Sequence, residues 1–334
     1  MDRREKLLAG LDVARQSGIE VGPLDHPLIL KSQGGISYVD YADAAYLREK
    51  YREDPNVVPA NIPETDAVWG DKTLAEALGA SHAFDYAVAS HVVEHVPDLI
   101  TWLDELHAVL KPGATLRLAV PDRRYTFDFM RRESAVSEAV TAHVLRLRAP
   151  TPGQLIDSAL NHHIVDRREL WAGAASRQPR YSRVERLAHA VGCARQIIEQ
   201  GVYIDVHCWV FTPASFCELM EQLVALGYLR FACERLFDTE RDEDEFIAIL
   251  RASEDRAACL ESWRTEGEAL RAGERERDLA AATEAARQAA EAAQAAVRAQ
   301  AEASARLEQR FAVLERRVAP LAWLARRALA RVRG

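Results

Sequence analysis

The sequence predicts an α/β domain with a mostly parallel sheet, followed by a long C-terminal helix. Up to about residue 252, apolar runs of strand length alternate with helical patterns and with glycine and proline, which is typical of α/β units. Beyond that point glycine and proline become rare, and fifteen of the 26 residues from 280 to 305 are alanine, a strong helix former. We therefore expect a domain over residues 1–252 and a helical segment after it.

Composition and charge narrow the class of protein. With 49% hydrophobic and 28% charged residues, the 334-residue chain has the balance of a soluble globular protein, and no run reaches the roughly 18 apolar residues of a membrane-spanning helix. The first residues lack the features of a secretion signal, so we expect a cytoplasmic protein. The net charge of −8 argues against a nucleic-acid partner. None of the five cysteines forms a C-x-x-C pair, which argues against disulfides and thiolate zinc sites.

Residues 84–121 carry a clear strand–helix–strand pattern. Residues 86–90 have the composition of a buried strand, apolar residues then recur at helical spacing as far as Leu110, and Lys-Pro-Gly stops the helix before a second strand. A right-handed crossover places the carboxyl ends of both strands on one rim of the sheet. His91 and Asp122 are predicted to lie on that rim.

These segments resemble a known family. The runs FDYAVASHVVEHV at residues 84–96, LKPG at 110–113 and LAVPD at 118–122 are similar to the fourth and fifth strands of class I S-adenosylmethionine-dependent methyltransferases, of the type 11-like kind. Residues 18–23, GIEVGP, resemble that family's first strand and glycine turn, and SYVD at 37–40 its second strand ending in an acid. The resemblance implies a Rossmann-like seven-stranded sheet ending in an antiparallel hairpin, with a helical insertion at about residues 123–204 covering the substrate cleft.

The resemblance also implies a site for S-adenosylmethionine. A glycine after the first strand lets the backbone approach the cofactor closely, and Asp40, 18 residues after Gly22, can accept hydrogen bonds from both ribose hydroxyls. Asp71 would accept from the adenine amino group, although an aspartate in a plain turn is an alternative there. The predicted cofactor-binding residues are Glu20, Gly22, Pro23, Asp40, Asp71, Ser90 and His91.

One position departs from the family pattern and keeps other functions open. Leu24 stands where the second glycine of the loop is usual, so the loop is more crowded than in the family. A catalytically inactive, methyltransferase-like scaffold that assembles through its C-terminal helix is therefore an alternative. A nicotinamide-dependent dehydrogenase is a third hypothesis, because a glycine turn with a later acid also fits that cofactor.

Methyl transfer requires alignment of the acceptor and a group that removes a proton from a hydroxyl. The predicted catalytic residues are His91, beside the cofactor, and His162 and His207, for the substrate. His91 and His95 are expected at i and i+4 on one helical face, with His95 in a packing or capping role. A metal site of His91, Glu94 and His95 is conceivable by ligand type, but there is no H-E-x-x-H motif, and we expect metal-independent chemistry.

The C-terminal segment predicts an oligomer. A heptad seam runs from Leu279 to Leu321, and we expect a coiled coil over residues 253–318, with a solvated single helix as the alternative. Residues 319–334 contain four arginines, Trp323 and no acid, which fits an amphipathic helix at an anionic membrane or a basic helix end. Methyltransferases with such a coil and tail resemble enzymes of bacterial surface-polysaccharide assembly, which implies a glycan or small-molecule acceptor and peripheral contact with the inner membrane face.

Overall fold

The computed structural model describes residues 1–173 and 182–332, and the side chains of these residues up to 314 together with that of Arg316. Within these residues, seven strands form one mixed sheet in the order β3-β2-β1-β4-β5-β7-β6, in which β7 alone runs antiparallel to the others. The predicted Rossmann-like sheet and its final antiparallel hairpin are confirmed. The strands are β1 (Ser17–Val21), β2 (Gly35–Asp40), β3 (Ala67–Val68), β4 (Phe84–Ser90), β5 (Leu110–Pro121), β6 (Phe231–Phe237) and β7 (Glu245–Ala252).

Helices precede, connect and follow the strands. The predicted helical insertion between β5 and β6 is confirmed, since the described residues between 136 and 200 include the helices α5 to α8. The helices are α1 (Arg3–Leu7), α2 (Ala44–Lys50), α3 (Leu74–Leu78), α4 (Leu99–Val109), α5 (Val136–Val144), α6 (Pro152–Asn161), α7 (Arg167–Trp171), α8 (Arg183–Gln200), α9 (Pro213–Leu226) and α10 (Arg256–Val332).

The main core lies on one face of the sheet. Apolar side chains of α4, α9 and the first turns of α10 pack there, including fully buried Trp102, Phe216 and Trp263. Helix α9 begins with a capping box at Thr212 and Pro213 at its first position, and it ends at Gly227, whose φ of 83° suits a glycine. These local signals fix the length of the helix that covers β5 and β7.

The connection between β1 and β2 contains no helix. Residues 22–34 cross the second face of the sheet as an irregular loop, and Ile29 packs there against Tyr38 and Tyr86. The loop is held by specific contacts, since the Tyr38 hydroxyl donates to the Ile29 carbonyl at 2.7 Å. A ligand at the carboxyl end of β1 would therefore meet a glycine turn and a loop, without the helix N-terminus common in dinucleotide-binding folds.

The predicted long C-terminal helix is confirmed in α10. Its first turns belong to the domain, because Cys259 and Trp263 are buried in the main core, and the compact unit extends over Met1–Arg271. A second unit runs from Ala272 onward. In the described part of the chain, no helix is long and apolar enough to cross a membrane. The side chains of the predicted amphipathic tail, residues 319–334, lie outside the described ones.

Candidate active site

The glycine turn after β1 is closely packed. Gly22 has a φ of 66°, and a Cβ added there would be 2.9 Å from Cγ2 of Val92. The Gly22 amide donates to the Val39 carbonyl of β2 at 2.9 Å. Only a glycine satisfies both the backbone conformation and the close approach. The contact with Val92 places the segment after β4 directly beside this turn.

Leu24 adopts the backbone conformation of a glycine. Its φ of 44° lies in the left-handed region, which costs a non-glycine residue about 1–2 kcal/mol. Its side chain packs against a small apolar cluster of Ala44, Leu47 and Ile62. Leu24 thus has a backbone conformation that suits a glycine, and its side chain is packed within the domain.

Glu20 is buried beneath the β1–β2 loop. Its carboxylate accepts hydrogen bonds from the backbone amides of Leu28 at 2.6 Å and Ile29 at 3.2 Å. Burial raises the pKa of Glu20 to about 7, against the opposing effect of these two bonds. The side chain therefore holds the loop in place, and a direct contact with the cofactor stays a prediction.

Asp40 and Asp71 lie in different environments. Asp40, at the end of β2, is buried, its Oδ1 accepts from the Tyr41 amide at 2.7 Å, and burial raises its pKa to about 6. Asp71 is fully exposed, with Oδ1 3.8 Å from Nη2 of Arg148. The carbonyl of Pro23, in the glycine turn, accepts from the His26 amide at 3.1 Å. Asp40 thus ends β2 as the sequence predicts, and its contact with the ribose stays a prediction.

Ser90 and His91 end β4 at the rim. The Ser90 hydroxyl accepts from Nη2 of Arg3 at 2.5 Å, and Nε2 of His91 donates to Oε2 of Glu245 at 2.7 Å. Burial lowers the pKa of His91, but the bonds and charges of Glu245 and Glu94 outweigh it and raise that pKa to about 10. His91 is consequently an imidazolium at neutral pH.

The predicted helical relation of His91 and His95 is wrong. Residues 91–95 form a turn, and α4 begins only at Leu99. His91 has a φ of 52°, which no α-helix contains, and Pro97 disfavours helical backbone at the residue before it. The turn points Glu94 into the protein, where its side chain is fully buried.

A cluster of histidines and carboxylates lies beside this turn. Nδ1 of His207 donates to Oδ2 of Asp128 at 2.5 Å, and Nδ1 of His95 donates to Oδ1 of Asp205 at 3.1 Å. The two rings meet edge to face with centroids 4.7 Å apart. Nε2 of His95 is 3.9 Å from Oε1 of Glu94. Each histidine is thus oriented by an aspartate, with its other ring nitrogen available.

Long-range contacts assemble this cluster. The Glu94 carbonyl accepts from the amides of Cys208 at 2.6 Å and Trp209 at 3.1 Å. Buried Arg131 donates to Oδ1 of Asp128 and to the His207 carbonyl, both at 3.0 Å. Three segments that are distant in sequence are therefore joined by hydrogen bonds and an ion pair at one point of the rim.

The structure brings His91 and His207 to the same part of the rim, and His162 lies farther out. The exposed His162 ring packs on the Phe127 ring, with centroids 4.6 Å apart, and the centroid of Phe127 is 4.8 Å from that of His207. Burial lowers the pKa of His162.

Sequence reasoning missed the aspartates that orient the two histidines. The spacing Asp205-Val-His207 was a weak signal, and nothing near Asp128 in the sequence indicated its partner.

The order of the strands in the sheet and the glycine turn after β1 define a class I methyltransferase fold. Comparisons with known proteins identify the family. A profile described as "Methyltransferase domain" matches residues 11–223, well over half of the chain. The chain belongs to this family, and it is an S-adenosylmethionine-dependent methyltransferase. Among curated proteins, none matches it significantly.

Solved structures resemble the chain only distantly. An S-adenosylmethionine-dependent methyltransferase from Methanosarcina mazei shares 15% identity, covering 73% of this chain and 94% of its own, with a TM-score of 0.35. One from Mesorhizobium loti shares 14%, covering 74% and 97%, with a TM-score of 0.35. A putative zinc-dependent alcohol dehydrogenase from Rhodobacter sphaeroides shares 12%, covering 75% and 90%, with a TM-score of 0.41. These scores carry no argument about activity.

The residues at the rim fit the cofactor. The turn at Gly22 leaves no room for a side chain beside the backbone, and a buried carboxylate, Asp40, ends the neighbouring strand. These two features would hold the methionine portion and the ribose, respectively. When bound, S-adenosylmethionine supplies a methyl group on a positively charged sulfur.

Proposed function

We propose that the enzyme methylates a hydroxyl group of a glycan or small-molecule acceptor at the rim beside Gly22. The observation that supports this most strongly is the pair of His207 and Asp128. Because Asp128 accepts from Nδ1, Nε2 is the ring nitrogen of His207 that is left for an acceptor, and the ring lies against His95 in the turn that touches Gly22. In a neutral imidazole this nitrogen would accept a hydrogen bond from an acceptor hydroxyl.

The proposed reaction is an in-line displacement. The acceptor oxygen bonds to the methyl carbon as the carbon–sulfur bond breaks, which yields S-adenosylhomocysteine, and the hydroxyl proton passes to Nε2 of His207. His91 cannot take this proton at neutral pH, because its raised pKa keeps it protonated. We assign His91 to the cofactor side, His207 to the acceptor hydroxyl and His162 to the outer part of the acceptor.

Purified enzyme and a library of hydroxyl acceptors test this assignment. We expect His207→Asn to reduce turnover by roughly 100-fold or more while S-adenosylmethionine affinity, measured by calorimetry, changes less than about threefold. Mass spectrometry of glycans from a deletion strain would identify the acceptor by the loss of one methyl group. Full turnover in His207→Asn would contradict the assignment.

A catalytically inactive scaffold is the second candidate, and it rests on Leu24 alone, whose side chain packs within the domain. It predicts that the protein binds the cofactor but forms no methylated product with any cell extract, and that deletion of α10 removes the cellular phenotype.

We further propose that α10 forms a homo-oligomeric coiled coil. Exposed apolar side chains at Leu307, Phe311 and Leu314 follow the heptad spacing, and nothing in the described chain covers them. Leu314→Glu should dissociate the oligomer in light scattering, whereas Val313→Glu, exposed but off the seam, should not. If the two variants have the same molecular mass in solution, the proposed coiled coil is contradicted.

We also propose a cytoplasmic enzyme of surface-polysaccharide assembly with its tail at the inner membrane face. The basic composition of residues 319–334 supports this proposal. The full chain should float with vesicles containing phosphatidylglycerol, and a chain lacking residues 319–334 should not. Equal flotation of the full and the shortened chain would contradict the proposed membrane contact.

A further inference from the structure

We propose that Glu94, His95 and His207 bind one divalent transition-metal ion, which holds the acceptor hydroxyl oxygen during methyl transfer. The role of the ion rests on the proposed function and changes one part of it, because Nε2 of His207 is then a metal ligand and the hydroxyl proton leaves to solvent. The binding of the ion does not rest on the proposed function. The inference revises the expectation of metal-independent chemistry, which was drawn from the absence of a sequence motif.

The first support is the geometry of three ligand atoms. One carboxylate oxygen of Glu94 and one ring nitrogen each of His95 and His207 all lie within 4.8 Å of one another. Ligands bound to an ion at about 2.0–2.2 Å are separated by roughly 3–4 Å. Small rotations of the side chains are therefore enough to close the site around an ion.

The second support is the carboxylate itself. The Glu94 side chain is fully buried, and its Oε1 is 3.5 Å from Nδ1 of His91. Neither of its oxygens has a hydrogen bond of normal length and angle in the described part of the chain. A buried carboxyl group that lacks hydrogen bonds is costly, so native proteins supply them or use such groups to bind metals. Glu94 faces the two histidines, and an ion between the three side chains would satisfy it.

The third support is the orientation of the rings. Asp128 and Asp205 each accept from a histidine Nδ1, which leaves the two Nε2 atoms as ligands. Histidines that bind metals are commonly fixed in this way, because the carboxylate sets the tautomer and the ring plane. Arg131 in turn fixes Asp128, so the orientation is built into the fold.

The ligand set indicates the kind of ion. Two imidazoles and one carboxylate suit Zn²⁺, Co²⁺ or Mn²⁺ better than Mg²⁺ or Ca²⁺, which prefer oxygen. Three protein ligands leave at least one position open. The His95 side chain is 32% exposed, so solvent and acceptor can reach the site. An acceptor hydroxyl in the open position would have a lowered pKa and release its proton to solvent.

Metal binding is measured on the full chain after treatment with EDTA and dialysis. Titration with Zn²⁺ in a calorimeter should show one equivalent per chain, and Co²⁺ should give the visible absorption of a site with nitrogen and oxygen ligands. Glu94→Gln and His207→Asn should each weaken binding by roughly 100-fold, and Asp205→Asn by roughly tenfold. His26→Asn, which changes an exposed histidine away from the cluster, is the matched control and should bind normally.

Thermal unfolding distinguishes a residue that binds the metal from one that only stabilises the fold. In the metal-free state, Glu94→Gln should melt close to the wild-type temperature, because the loss of a buried carboxylate without a hydrogen bond offsets the loss of its charge contact with His91. Saturating Zn²⁺ should raise the wild-type melting temperature by roughly 5 °C and leave that of Glu94→Gln unchanged. If Glu94→Gln fails to fold, Asp205→Asn, at a half-exposed position, should show a smaller rise than the wild type at a Zn²⁺ concentration near the wild-type dissociation constant.

Two outcomes would overturn the inference. One is the absence of binding at millimolar Zn²⁺, and the other is binding that Glu94→Gln and His207→Asn leave intact. Turnover that persists in EDTA would reject the role of the ion and keep the proposed methylation. Stoichiometric, variant-sensitive binding with no methylated hydroxyl product would instead support the site and reject the proposed function.

Discussion

The proposed cofactor side and acceptor side of the rim are assembled over different distances along the chain. Gly22 directly follows β1 and Asp40 ends the neighbouring strand β2, and the loop of residues 22–34 is held by Glu20 and Tyr38 from the same two strands. The proposed acceptor side joins His95 after β4, Asp128 after β5 and His207 before α9. The first side is therefore held by contacts within about twenty residues of the chain, whereas the second depends on buried ion pairs and hydrogen bonds between three distant segments.

The largest expected effect tests the acceptor side. Arg131→Met removes a side chain that is 3% exposed and pairs with Asp128. Because the partner carboxylate is left buried, the free energy of unfolding should fall by about 3–5 kcal/mol in urea titrations. Arg132→Met, which breaks an ion pair of a largely exposed arginine, should cost less than about 1 kcal/mol. Similar losses in the two variants would mean that the buried pair does not hold this side together.

The next effect tests the cofactor side. Gly22→Ala places a Cβ 2.9 Å from Val92 in a left-handed backbone conformation, so the dissociation constant for S-adenosylmethionine should rise roughly 10- to 100-fold in calorimetry. Gly79→Ala has the same backbone strain at φ 62° but free space around the new methyl group. It should lose about 1 kcal/mol of stability and keep its affinity. An unchanged affinity in Gly22→Ala would remove the turn from the cofactor site.

A smaller effect concerns Asp40 and pH. Since burial raises the pKa of Asp40 to about 6, the carboxylate is ionised above that pH and protonated below it. Ribose hydroxyls donate to the ionised form, so the wild-type affinity should increase as the pH rises from 5 to 7.5. Asp40→Asn should bind roughly tenfold more weakly at pH 7.5 and lose most of this dependence. An Asp40→Asn variant with the wild-type pH profile would exclude the role of Asp40.

The smallest effect is expected at Leu24. Leu24→Gly relieves the left-handed strain but loses the contact with Leu47 and Ile62 and gains freedom in the unfolded chain. These contributions oppose one another, so stability should change by less than about 1 kcal/mol and cofactor affinity by less than about twofold. A tenfold gain in affinity would show that the leucine side chain obstructs the cofactor.

Local patterns predicted the parts of the fold that depend on neighbouring residues. The segment 84–121 contains strand, helix and stop signals in order, and β4, α4 and β5 follow them. The final antiparallel hairpin of β6 and β7 was likewise predicted. The turn at 91–95 was not predicted. The i, i+4 spacing of its two histidines indicated a helix, and no sequence signal indicated the left-handed backbone of His91 that prevents one.

The sequence by itself determined the sheet, the glycine turn with its acid, and the long helix, because each is encoded by spacing and composition within a short stretch. Only the tertiary structure decided which histidines share a site and which aspartates orient them. Their partners lie tens of residues away, and the contacts form only when the helical insertion and the segment at residues 205–209 pack on the rim. Glu94 shows the difference most clearly, since no sequence pattern gave its burial or the two ring nitrogens that it faces.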